Sequence, residues 1–133
     1  MTGLEIVGAI LETHEPLLEL VDVDSMKAGK LPDGVVLPAL LLRTVSSTDR
    51  QFLKDSGFYR AKDRVSVTVR AASYEDQIKV IAIVKRCCGG LTGDIGGGLR
   101  VAILRAGTGP DMNGPANSFE QAQHFHVSFD DPA

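Results

Sequence analysis

Val65, Val67 and Val69 alternate with Ser66, Thr68 and Arg70, and the alternation runs directly into Ser73-Tyr74-Glu75-Asp76. Successive side chains of a strand point to opposite faces, so this pattern requires a sheet with one buried face and one wet face. The segment that follows requires a helix. Ser73 is an N-cap residue, Asp76 three positions later completes a capping box with a short acid, and Glu75 and Asp76 suit the positive end of the dipole. Ile78, Ile81, Val84 and Cys88 mark one face, widened by Val80, Ile83 and Cys87. Lys85 and Arg86 suit the far end, and Gly89-Gly90 stops the helix. An apolar-faced strand joined to an amphipathic helix constrains the class to helix packed on sheet.

The remaining segments extend that scheme. Leu4, Val7, Ile10 and Leu11 predict a helix over 3–13, which Pro16 ends or kinks through its effect on Glu15. Leu17, Leu18, Leu20 and Val21 suit a second short turn. Residues 22–30 are polar and read as a loop with a short extended piece near Met26. In Leu31–Leu42, LPDGVVLPALLL, Asp33-Gly34 is a turn signal, and Pro38 belongs at the opening of a strand or on an edge. The strand is expected over 38–45, followed by an exposed polar loop over 46–57 in which Phe52 and Leu53 interrupt the polarity. Leu99, Val101 and Ile103 alternate with Arg100, Ala102 and Leu104 as another strand, 106–118 reads as a long mobile connection, and Phe125, Val127 and Phe129 mark the last strand. The expected fold is α+β: a small, mostly antiparallel sheet with helices on one face, in two layers. It forms one domain over 1–129 with a flexible tail over 130–133.

Length and charge exclude several functions. A chain of 133 residues is most simply one domain with a real core. A formal charge of −3 argues against a dedicated nucleic-acid binder. Arg60, Lys62, Arg64 and Arg70 cluster around one strand, but Asp55, Asp63, Glu75 and Asp76 flank them, which is the pattern of a mixed solvated face. No stretch of about 18 apolar residues predicts a membrane span. Residues 1–16 lack a basic segment and carry Glu5 and Glu12, so no secretory signal is expected. Adjacent Cys87 and Cys88 read as reduced thiols of a cytoplasmic chain.

Three motifs invite a chemical reading. His124-x-His126 places two imidazoles on one strand face, where they could supply two zinc or iron ligands, with His14 in the first helix as the obvious third. The alternative is a pair of partly exposed strand residues, and it is the simpler one; no metal or cofactor is expected. Gly93-Asp94-Ile95-Gly96-Gly97-Gly98 resembles a phosphate loop in composition only. It leaves a helix and enters a strand, the reverse of what helix N-terminal amides require, and so reads as a flexible connector. Cys87 and Cys88 lie at a helix C-terminus, where the dipole disfavours a thiolate nucleophile. No catalytic residue is expected.

Taken in order, an N-terminal helix, LPDGVVLPALLLRTVS, a polar loop, RVSVTVRAASYEDQIKVIAIVKRCCGG and a final FHVSFD resemble the DUF3168 group of phage tail-completion, or tail-terminator, proteins. The anchors are Leu31, Pro32, Gly34, Leu37, Pro38 and Ala39, then Val65–Val69 running into Ser73 and Tyr74. The resemblance spans about Leu4 to Phe129 and is weakest over the Cys87-Cys88 helix end and the 89–98 loop. It implies a non-enzymatic virion protein, made in the bacterial cytoplasm, that forms a ring of six on the tail tube. Such a ring stops the tube growing and presents a docking surface to a head-completion or connector protein. Phage DNA passes through its lumen without sequence-specific binding. A closed ring needs two different complementary patches per subunit, and Phe52, Leu53, Phe58 and Met112 are candidate contacts with a neighbouring subunit or partner. Two alternatives remain: another component of the same joint (a head-completion or minor tail protein), and a small metal- or ligand-binding protein built on His124 and His126.

Overall fold

A computed structural model describes residues 2–50 and 58–132. In chain order the elements are α1 (Gly3–Glu12), α2 (Glu15–Leu18), β1 (Met26–Ala28), β2 (Ala39–Arg50), β3 (Phe58–Ala71), α3 (Tyr74–Cys88), β4 (Thr92–Gly93), β5 (Leu99–Thr108), β6 (Met112–Asn113) and β7 (Phe119–Pro132), with 3-10 turns at Val23–Ser25 and Pro115–Asn117. The sheet has seven strands in the order β1-β2-β3-β7-β5-β4, and β6 pairs with β7 beside this path. Every pair is antiparallel except β1 with β2. The helices lie on one face, so the molecule is the two-layer α+β fold that the sequence predicts.

The inner face follows the period-two rule. Val65, Val67 and Val69 of β3 are buried against the helices, as are Phe125, Val127 and Phe129 of β7 and Val101 and Ile103 of β5. Ile6, Val7 and Leu11 of α1 and Val80, Ile81 and Val84 of α3 close the core from above. Ser73 caps α3 by accepting from the Asp76 amide at 3.2 Å. Thr2 caps α1 by accepting from Glu5 N–H at 3.2 Å.

One inward position on β3 is a carboxylate instead of a hydrocarbon. Asp63 is 4% exposed, accepts a 2.7 Å hydrogen bond from the Gly3 amide, and also accepts from the Ser47 hydroxyl. It thus neutralises one of the orphan donors that begin every helix. The approach is close: a methyl group on Gly3 would stand 2.7 Å from Asp63 Cβ. Asp63 therefore belongs to the core joint between α1 and the sheet, not to a solvated charged face.

Four expectations are corrected. Residues 46–50, expected as loop, are the outer half of β2, paired with an outer half of β3 that starts before Arg64, from Ser46↔Arg64 to Arg50↔Arg60 past an irregularity between Thr44 and Ser46. Leu99 faces out, because the register with β7 shifts between Leu99 and Ala102 and Arg100 takes a positive φ of 50°. Residues 106–118 are ordered: β5 continues to Thr108, Met112 pairs with Glu120, and Asp111 accepts from both Tyr74 Oη at 2.8 Å and Gln77 Nε2 at 2.9 Å. The strand β7 runs beyond Phe129 to Pro132, where Asp130 meets Arg60 at 3.1 Å and Arg100 at 3.3 Å.

Candidate assembly surfaces

The outer face of the sheet carries the histidine pair. Across the strands, Ser46, Arg64, His126 and Leu104 form one row, and Thr48, Lys62, Ser128 and Ala102 form the next. Arg43, Ser66 and His124 form a third. Rows stand about 7 Å apart along a strand and neighbours about 4.8 Å apart across it. The residues that alternation predicts to be wet are thus outside, and β3 lays Arg60, Lys62 and Arg64 along them as a basic stripe.

Arg64 determines what the histidines can do. Its Nε donates to His124 Nδ1 at 3.0 Å, and its Nη2 donates to the Ala106 carbonyl at 3.1 Å. The lone pair of His124 Nδ1 is therefore occupied by a cation. Burial and the Arg64 charge hold the His124 imidazole below the usual histidine range; burial, then Lys62 and Arg64, do the same for His126. Among the described residues no three His, Cys, Asp or Glu side chains converge on a metal-sized site. His14 sits before α2 on the helical side, so it does not join the pair. This geometry suits a neutral, hydrogen-bonded surface better than a metal centre.

The lowered values carry a pH dependence. The folded chain favours both imidazoles in the neutral form. The stability they contribute is whole above the ordinary histidine value and is lost as pH falls through the lowered ones. Urea unfolding midpoints should therefore fall between pH 7.5 and pH 5, and the fall should be smaller in the His124→Gln/His126→Gln variant. An equal fall in both proteins would assign the acid sensitivity to other groups.

The glycine loop is not the flexible connector that its composition predicts. A Cβ on Gly96 would lie 2.7 Å from the Ile6 carbonyl oxygen, and one on Gly98 would lie 2.7 Å from Ile6 Cδ1. The loop is a tight saddle over α1, with Leu91 and Ile95 packed on the core. The cysteines are free and buried, Cys87 at 4.0 Å from the Ile10 carbonyl. Contact with Cys87 and burial push the Cys88 thiol up, so it packs as a small apolar group and not as a thiolate.

Of the four sequence-predicted contact residues, the two that are described, Phe58 and Met112, belong to opposite ends of the sheet. Met112 is exposed in β6 at the Glu120 end of β7. Phe58 opens β3 opposite Pro132, twelve β7 residues away or about 40 Å along the strand. Phe52 and Leu53 lie outside the described residues.

A second patch lies on the helical side, and the sequence reading missed it. No Lys or Arg precedes Lys27, whereas Glu5, Glu12, Glu15, Glu19, Asp22 and Asp24 are all exposed. Glu12, Glu19 and Asp22 surround a shallow hollow with Leu18, Leu20 and Val23, whose side chains are partly open to water. Counting charges by segment instead of over the whole chain was the signal that could have found it.

No protein-family model and no curated protein matches the chain. Among solved structures it is similar to a chain in "Virion of native gene transfer agent (GTA) particle", at 12% identity and a TM-score of 0.69, over 97% of this chain and 95% of that one. The likeness is one of fold. It runs nearly end to end in both chains, so the arms of the sheet are included with the helix-covered centre.

Proposed function

We propose that this chain is a non-enzymatic virion subunit of the DUF3168 tail-completion kind, which assembles as a ring on the end of a tail tube and offers the head its docking surface. The observation that carries the proposal is the near end-to-end fold likeness to a chain of a gene transfer agent virion. It agrees with the resemblance read independently from LPDGVVLPALLL and the Val65–Cys88 strand–helix unit. The molecule's own features fit a part that acts by shape. Two of its carboxylates form internal joints, Asp63 with α1 and Asp111 with α3. Its two thiols are buried, and His124 is tied to Arg64.

In this role the subunit's partners are other copies of itself, the tail tube protein and a head-completion or connector protein, and DNA traverses the lumen. Quantitative mass spectrometry of purified particles tests the assignment. The chain should be present at the copy number of a single ring, far below the tube protein. A copy number matching the tube protein, or absence from clean particles, would refute it.

A further inference from the structure

We infer that the acidic corner of α1 and α2 docks on the basic outer face of the sheet of a second copy of this chain. Each patch has the anatomy of a binding surface, with an apolar centre and a charged rim. At the corner, Leu18, Leu20 and Val23 are 37%, 41% and 44% exposed inside a fence of Glu12, Glu19 and Asp22. On the sheet, Leu104 is 64% exposed beside His126 in the same row as Arg64, with Lys62 one row along. Arg43 lies on the same face, opposite Ser66.

The rims are opposite in sign. The two patches also lie on opposite sides of the sandwich, since the helices pack on the inner face of the sheet and the stripe occupies the outer one. Such a pair joins head to tail, and a head-to-tail pair whose rotation closes makes a ring. The inference rests on the ring reading for its geometry and supplies the two complementary patches that reading requires. A polyanion is the weaker match for the basic face. The centre of the face is Leu104, and the acid corner of the same chain brings Leu18, Leu20 and Val23 to meet it, which a polyanion does not.

Charge reversal tests the pairing. Glu12→Lys/Glu19→Lys alters the corner; Glu12 ends α1, where a lysine suits the dipole, so the fold should be unharmed. Arg43→Glu/Lys62→Glu alters the sheet at exposed sites. The measurement is sedimentation of the purified proteins, from micromolar to millimolar and from low to high salt, after circular dichroism confirms folding. Wild-type protein should self-associate, less as salt rises. Either double variant should associate about a hundredfold or more weakly, because like charges then face each other. An equimolar mixture of the two should regain association, since alternating subunits pair reversed corner with reversed sheet and native with native. The chain carrying all four changes should regain it as well.

Three results would overturn the proposal: a wild-type protein that stays monomeric throughout, association indifferent to both reversals, or sensitivity to the sheet reversal alone with binding of a DNA oligonucleotide. None of these readouts uses tail particles. A failure here therefore leaves the ring reading to be judged on particles, and a failure there leaves this pairing to be judged in solution.

Discussion

Asp63→Ala should cost the fold about 3 kcal/mol and lower the melting temperature by roughly 10 °C. The carboxylate is buried, holds the first amide of α1 at 2.7 Å, and receives the Ser47 hydroxyl from the neighbouring strand. Alanine leaves the buried Gly3 amide without its acceptor, releases the Ser47 hydroxyl to the solvent at the sheet surface, and removes a negative charge from the positive end of a helix. Asn at this position keeps an oxygen for one donor and loses the charge, so it should recover about half of the loss. The check is the denaturant midpoint of both variants, together with amide exchange of α1. Exchange should accelerate in α1 before it does in α3, because Asp63 joins only the first helix to the sheet. An alanine variant as stable as the parent would mean that this joint contributes nothing.

Gly96→Ala should be nearly as damaging, at about 2–4 kcal/mol. Two terms add. Gly96 has a φ of +60°, which side chains with a Cβ resist, and the new methyl would meet Ile6 backbone at 2.7 Å. Backbone cannot swing aside as a side-chain tip can. Gly90→Ala separates the terms: its φ is +85°, with nothing within 4 Å of the added atom, so it should lose only about 1 kcal/mol. Thermal unfolding of the two variants side by side gives the comparison. Equal losses would mean that the loop is not pressed on α1.

These two sites mark where sequence stops being legible. The Val65–Cys88 unit could be read because hydrophobic period and capping chemistry agree there, and the structure returns it with Ser73 as the cap, except that Ile78 of the marked face is exposed and Gln77 is buried in its stead. The outer halves of β2 and β3 could not. Ser46, Ser47, Thr48, Lys62 and Asp63 are polar on both faces, so the period-two signal disappears, and Asp63 takes an inward place by meeting a helix amide instead of a hydrocarbon. The glycines of 93–98 signal freedom by composition, yet two of them are there to let Ile6 approach. Leu99 looked buried by alternation until Arg100 shifted the register. Asp130 looked like a tail residue because neither of its arginine partners is near it in sequence.

The candidate surfaces divide in the same way. The sequence places His124 and His126 on one strand face, which is where they lie, but it cannot know that Arg64 occupies one ring nitrogen. It shows a basic cluster around β3. It hides the answering acids, because a chain-wide charge of −3 averages two separated patches into one mild number.

Electron microscopy of particles made in the absence of this chain tests the central claim most directly. If it is the collar that ends the tube, such lysates should contain tails of abnormal and variable length and heads without tails, and supplying the chain in trans should restore joined particles of uniform length. Normal, joined, infectious or gene-transferring particles without it would contradict the account.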